Sequence, residues 1–146
     1  MPTPTLNGQV LGEAERATRA VLDRLLTPRG LTFHHWVVLN IAGAGPVERD
    51  QLVARMTHML KIDRPTALEA ITELTSRGLV EAVPSGEEPA VVTLTDAGQA
   101  RHGEARTAAN EITTRLYGDL PADDLATAGR VLTVITARAN AELDQI

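Results

Sequence analysis

The chain has 146 residues, enough for one compact domain and too few for two ordinary domains, so we expect a single folding unit over residues 1–146. It contains no cysteine, which excludes disulfides, thiolate metal sites and thiol redox sensors. Its formal net charge of -5 argues against broad, sequence-independent affinity for polyanions, because such affinity needs many Lys and Arg contacts.

Two helices are predicted in the first third of the chain. Apolar residues recur near helical spacing over residues 10–26, and the turn sequence at residues 27–30, with Pro28 and Gly30, ends that helix. A second helix is predicted over residues 33–42, with Thr32 as its N-cap. This second helix is nearly all apolar from Trp36 onward, and we therefore expect it to be buried on most sides.

A helix-turn-helix is predicted next. The third helix is expected to begin near Val47, about one turn longer than such a unit needs. It carries apolar residues at spacings of three and four, namely Leu52, Val53, Met56, Met59 and Leu60. Asp63 is a suitable N-cap for a fourth helix with Pro65 in its first turn. That helix is expected to bury Leu68, Ile71 and Leu74 and to end before Gly78.

A two-stranded wing and two further helices complete the prediction. Strands are expected at residues 79–83 and 90–94, joined by a hairpin loop at residues 84–89. Thr95 or Asp96 should cap a long helix that reaches about Tyr117, and Asp123 or Asp124 should open a final helix. The predicted fold class is therefore mainly α with a small β-wing.

Four stretches, in the right order along the chain, resemble the MarR family of transcriptional regulators. Residues 31–39 resemble the family's second helix, residues 59–67 the turn into its recognition helix, residues 73–80 the end of that helix, and residues 92–98 the start of its long dimerisation helix. The resemblance implies a winged helix-turn-helix at residues 32–95, flanked by dimerisation helices at residues 6–30 and 96–146.

What the resemblance implies is a homodimer on a palindromic operator, with recognition helices in successive major grooves. It also implies a small, often aromatic and anionic, effector bound between the dimerisation and winged regions. The matching positions for DNA are Lys61, Arg64, Pro65, Thr66, Glu69, Thr72, Arg77, Ser85 and Gly86. Arg64 is the first choice among them. The candidates for the effector are Arg16, Arg19, His35, Trp36 and Tyr117.

The charge of the winged region departs from the family pattern. Residues 47–94 contain 5 basic and 8 acidic residues, and the predicted wing loop has no arginine. Glu69 could read a cytosine amino group or simply be solvated. The alternative function is therefore a MarR-like protein whose DNA binding is weakened or lost and which acts through a small molecule or a protein partner.

The sequence does not favour a metal site or a catalytic site. His34 and His35 are adjacent on a helix and so do not share a face, which makes them poor joint ligands for a metal. No nucleophile elbow, phosphate-binding glycine loop or paired-carboxylate motif is present, so an enzyme is the least favoured hypothesis and no cofactor or metal is expected. The sequence has neither a long apolar run nor a signal-peptide pattern, which predicts a cytoplasmic protein without membrane contact.

Overall fold

The computed structural model describes residues 4–85 and 88–146, and the chain divides into two compact units, Met1–Ala109 and Asn110–Ile146. Within the described residues there are six α-helices: α1 (Gly8–Leu26), α2 (Phe33–Gly43), α3 (Arg49–Leu60), α4 (Arg64–Ser76), α5 (Asp96–Tyr117) and α6 (Ala122–Leu143). The same residues form an antiparallel sheet of β1 (Val47–Glu48), β2 (Val80–Ser85) and β3 (Glu88–Leu94), in the order β1-β3-β2. The mainly helical fold with a small wing is confirmed.

Side chains at the helix starts explain where α1 and α2 begin. Asn7 Oδ1 accepts a hydrogen bond of 2.9 Å from the Val10 amide, so α1 begins at Gly8, two residues earlier than predicted. The predicted cap Thr32 is confirmed, since its Oγ1 accepts from the His35 amide at 3.2 Å. In return, Nδ1 of the His35 ring accepts a hydrogen bond of 3.0 Å from the Thr32 amide. This reciprocal pair is a capping box that uses histidine in place of the usual Glu or Gln.

The turn between α3 and α4 sets where α4, the predicted recognition helix, begins. Lys61 has a φ of 56°, a left-handed conformation that few non-glycine residues adopt, and it ends α3. Asp63 Oδ1 then accepts from the Thr66 amide at 2.9 Å, as predicted for the cap of α4. Hydrogen bonds from the side chain and the backbone of Thr66 lower the pKa of Asp63 below its ordinary value.

The anchoring side of α4 faces the core of the first unit. Ile71 and Leu74 are buried as predicted, while Leu68 is half-buried and Met59 on α3 is 55% exposed. The largest fully buried side chains come from α1 to α4 and the sheet, namely Leu26, Leu39, Leu52, Met56, Leu74, His35, Val38, Val53, Val80 and Val92. The core of this unit is thus mostly aliphatic, as the low aromatic content predicts.

Two predictions about the strands were wrong. Residues 47–48 are a short strand and not the start of a helix, because Val47 and Glu48 pair with Val92 and Val91 of β3. These two residues account for part of the extra length before the turn. The predicted loop at residues 84–89 is also too long, since β2 continues to Ser85 and β3 starts at Glu88. Pro84 is tolerated because β2 is an edge strand and its register shifts at this point.

The base of the wing and the first turn of α5 form a close joint. Thr95 Oγ1 accepts from the Gly98 amide at 3.0 Å and donates to the Gly78 carbonyl at 2.6 Å, which confirms Thr95 as the cap of α5. The Thr95 amide donates to the Leu79 carbonyl at 3.1 Å. A Cβ added to Gly98 would lie 1.8 Å from that carbonyl oxygen, so the approach requires glycine.

The second unit contains the end of α5 and all of α6. Helix α6 begins at Ala122 with Pro121 in the cap position, so Asp123 and Asp124 lie in the first turn and not at the cap as predicted. Their negative charges still stabilise the helix, because they lie at the positive end of its dipole. Among the described side chains of α6 none is buried. Large apolar side chains of this helix are consequently open to solvent in the single chain, namely Leu125, Val134, Ile135 and Leu143.

Candidate nucleic-acid interface and two clefts

The exposed side of α4 carries most of the side chains predicted to contact DNA. Arg64 is well exposed, and its Nη2 lies 3.4 Å from Asp50 Oδ1 on α3. Glu69 and Thr72 are exposed one and two turns further along, and Thr66 is half-buried. Pro65 is exposed in the first turn. The structure thus brings five of the predicted residues together on one helix.

The other predicted DNA residues lie elsewhere. Lys61 is exposed in the turn before α4. Arg77, at the end of α4, is directed to its own chain, because its guanidinium hydrogen-bonds the Gly30 carbonyl and lies 3.9 Å from Glu73. Ser85 is the last residue of β2, and Gly86 lies outside the described residues. The predicted phosphate contact of Arg77 therefore competes with an internal role that the sequence did not indicate.

His35 links the start of α2 to the recognition helix. Its side chain is 1% exposed, and its Nδ1 accepts from the Thr32 amide, so the neutral ring carries its proton on Nε2. That nitrogen lies 3.5 Å from Glu73 Oε2. Burial lowers the pKa of His35 below its ordinary value, although the nearby Glu73 carboxylate acts in the opposite direction.

A first cleft, which we call the His102 cleft, lies between the end of α2, the base of the wing and α5. It has a volume of about 480 Å³ and is lined by Ala42, Gly43, Gly45, Pro46, Thr93, Leu94, Gln99, His102, Gly103 and Arg106. His102 Nε2 donates to Asn40 Oδ1 at 2.8 Å, and its ring lies 5.5 Å from that of Trp36. Burial, and then the charge of Arg106, lower the pKa of His102. Arg106 gives this cleft a positive charge with no carboxylate among its lining residues.

A second cleft, which we call the acidic cleft, lies between α1, the start of α2 and α4. Its volume is about 420 Å³, and it is lined by Arg19, Asp23, Thr32, Phe33, His34, Thr66, Glu69, Ala70 and Glu73. The Arg19 guanidinium carbon lies 3.4 Å from the centroid of the Phe33 ring, while Arg19 Nη2 lies 3.0 Å from Glu15 Oε1. The lining thus contains three carboxylates and one guanidinium.

The predicted effector residues of the first unit do not line one cleft. Arg19 lines the acidic cleft, while Trp36 packs on His102 and His35 is enclosed by the capping box. Arg16 is exposed on α1, and Tyr117 is 45% exposed and belongs to the second unit. The sequence did not single out Phe33, Asp23 and Arg106. For Arg106, its position one turn after His102 was the available signal.

The described residues offer no other obvious chemical site. Among them, no group of three or more His, Cys, Asp or Glu side chains is placed to hold a metal ion. Within the same part of the chain, no helix has the length and apolar character needed to cross a membrane.

Comparison with solved structures decides the fold. A MarR-family transcriptional regulator from Rhodococcus sp. RHA1 is 18% identical, with a TM-score of 0.75 over 88% of this chain and 92% of its own. The chain has the MarR fold. CouR from Rhodococcus jostii RHA1, bound to p-coumaroyl-CoA, is 20% identical, with a TM-score of 0.77 over 88% of this chain and 90% of its own.

A third solved structure contains DNA. A mutant MarR from E. coli complexed with operator DNA is 22% identical, with a TM-score of 0.72 over 88% of this chain and 91% of its own. No protein-family model matches the sequence. At these identities the MarR likeness is one of fold, and the agreement covers most of the chain.

Proposed function

We propose that this protein is a transcriptional regulator that binds double-stranded operator DNA as a homodimer and responds to a small-molecule effector. The observation that carries the proposal is the capped, solvent-exposed helix α4 within a MarR-type winged helix-turn-helix. A protein of the same fold, MarR from E. coli, is the one complexed with operator DNA. The proposal includes no enzymatic activity.

The chemistry of α4 fits major-groove contact. Arg64 can exchange its long contact with Asp50, two groups that are both well exposed, for a phosphate or a guanine edge. Thr66 and Thr72 offer hydroxyl groups, and Glu69 can accept from the amino group of cytosine. Lys61 precedes the helix and supplies a further cation near the backbone of the DNA.

The homodimer rests on the apolar side chains of α6. Val134 and Ile135 are 41% and 38% exposed in the single chain, and Leu143 is 55% exposed. Apolar surface of this kind on a long helix marks an interaction site. A two-fold dimer matches a palindromic operator whose half-sites are roughly 34 Å apart.

The His102 cleft is our choice for the effector. Arg106 and the amide of Gln99 can bind an anionic or polar group, while Leu94, Ala42 and Pro46 offer apolar walls to an aromatic ring. CouR, which shares the fold, is bound to p-coumaroyl-CoA. An aromatic carboxylate or its thioester is therefore the effector class that this cleft suits.

Operator binding is tested with the protein's own upstream DNA over a range of salt concentrations. We expect sequence-dependent binding, and we expect Arg64→Ala to reduce the slope of log K against log salt by about one. Arg24→Ala, which removes the same charge from the exposed end of α1, is the matched control and should leave the slope unchanged. A slope that is the same in both variants would contradict the assignment of Arg64.

A second function deserves a test because the winged region is acidic. Residues 47–94 contain 5 basic and 8 acidic residues, and Arg77 is occupied by Gly30 and Glu73. The rival is a MarR-like protein that has lost operator binding and acts by binding a small molecule or a protein. Failure to bind the upstream DNA even at low salt would favour this rival over the regulator.

A further inference from the structure

The acidic cleft differs in charge from the His102 cleft, although the two have similar volumes. Asp23 on α1 and Glu69 and Glu73 on α4 line it, and Arg19 is its one guanidinium. The other cleft contains Arg106 and no carboxylate. Two cavities of opposite charge in one unit are suited to different ligands.

The aromatic wall of the acidic cleft already holds a cation. The Arg19 guanidinium carbon lies 3.4 Å from the centroid of the Phe33 ring, within the range of a cation–π interaction. Arg19 therefore covers this face of Phe33, and the contact shows that the face favours a positively charged group. It is independent of the carboxylates, and both features favour the same sign of charge.

Arg19 is poorly placed to anchor an anion. Its Nη2 lies 3.0 Å from Glu15 Oε1, and its guanidinium covers Phe33, so it is neutralised on one side and stacked on the other. An anion entering the cleft would also meet Asp23 and Glu69 without a second cation to offset them. Arg19 and Phe33 also line a smaller hollow of about 240 Å³, together with Glu15, Thr18 and Leu22.

We propose that the acidic cleft is a second ligand site, distinct from the effector site above, and that it binds an amphipathic organic cation, such as an aromatic amine. The ring of the ligand lies against Ala70 and beside Phe33, whose face Arg19 covers, and its ammonium group lies between the carboxylates of Asp23, Glu69 and Glu73. Glu73 retains its contacts with His35 and Arg77 at the rear of the cleft.

The test is a calorimetric titration of the DNA-free protein with three probes of nearly equal size: 1-naphthylmethylammonium, 1-naphthylacetate and 1-naphthylmethanol. The ammonium compound is expected to bind with one site per chain, and more tightly than the other two. Equal binding of the neutral or anionic probe, or no binding of the ammonium compound, overturns the proposal. Since no DNA is present, this result is separate from the outcome for operator binding.

Substitutions locate the bound cation. Glu69→Gln and Asp23→Asn should each weaken binding about two- to five-fold, since an exposed ion pair contributes at most about 1 kcal/mol. Glu81→Gln, on the exposed side of β2, makes the same change in net charge and should have no effect. An equal effect of Glu81→Gln and Glu69→Gln would overturn the assignment to this cleft.

Arg19→Gln gives a result of opposite sign. It removes the like charge and exposes the Phe33 ring, so it should strengthen binding of the ammonium probe about two- to five-fold. If Arg19 were instead an anion anchor, the same variant would leave the ammonium compound unaffected and abolish any binding of 1-naphthylacetate. That outcome overturns the proposal. Thermal unfolding of each variant verifies that it remains folded.

Discussion

At the scale of single residues, His35 makes two contacts that bear on stability. Its ring completes the cap of α2 through Thr32, and its other nitrogen is directed at Glu73 on the recognition helix. Because the Nδ1 lone pair is needed for the cap, protonation of the ring breaks that hydrogen bond and places a charge in a buried site. The neutral histidine is therefore the form that the fold stabilises.

The pH dependence of stability follows from this. The pKa values of His35 and His102 are lowered from 6.5 in the folded chain, so the unfolded chain binds more protons as the pH falls below that value. Their contribution to stability is complete above pH 6.5 and is lost as the pH falls. We expect the free energy of unfolding, measured in urea between about pH 5 and 7.5, to increase with pH.

His35→Gln isolates one of the two histidines. Glutamine can still accept from the Thr32 amide in the capping box, but it does not titrate. This variant should reduce the slope of stability against pH, whereas His34→Gln, the neighbouring residue outside the box, should retain it. An unchanged slope in His35→Gln would show that His35 is not responsible.

At the scale of elements, the joint between the wing and α5 depends on a close approach of backbone to Gly98. The Gly98 position faces the Leu79 carbonyl with no room for a methyl group, while Gly103 on the same helix has nothing within 4 Å of an added Cβ. Two glycines on one helix thus have opposite requirements.

These glycines provide a paired prediction. Gly98→Ala should destabilise the protein by about 1–3 kcal/mol, because the clash is with backbone and can be relieved only by separating α5 from the wing. Gly103→Ala should stabilise it by roughly 0.5–1 kcal/mol, since alanine is the better helix former. Chemical denaturation of both variants measures the two effects. Equal changes in both would contradict the close approach at Gly98.

Local signals in the sequence explain which elements could be predicted. Thr32, Asp63 and Thr95 act on amides within their own first turns, so their caps were readable from neighbouring residues. Strand β1 was not, because a strand of two residues has no periodicity and exists only through its pairing with β3. The sequence around Pro84 predicts a loop, because a proline is tolerated in a strand only at the edge of a sheet, and the edge position of β2 is defined by the sheet alone.

At the scale of the whole molecule, the proposed homodimer depends on the exposed apolar side chains of α6. Val134→Asp with Ile135→Asp should convert a dimer to a monomer, because charges replace side chains that a second copy would bury. Light scattering after size-exclusion chromatography measures the mass directly. Thr133→Asp, which adds a charge on the other side of the same helix, is the control and should remain a dimer. A wild-type chain that is already monomeric would contradict the proposed homodimer.

The sites were less predictable than the fold. The acidic balance of residues 47–94 and the exposed side of α4 follow from residue types and helical spacing. The clefts do not, because the acidic cleft joins Asp23, Phe33 and Glu69, which are far apart in the chain. The predicted effector residues His35 and Trp36 do not share a cleft for a different reason: they leave neighbouring positions of α2 in different directions.

The joint at Thr95 also has a mechanical consequence. Two hydrogen bonds from Thr95 and the close approach of Gly98 connect Gly78 and Leu79 to the start of α5. Backbone packed this closely transmits a displacement and does not absorb it. A rotation of α5 about its own axis would therefore displace the residues that lead into β2 and change the tilt of the wing.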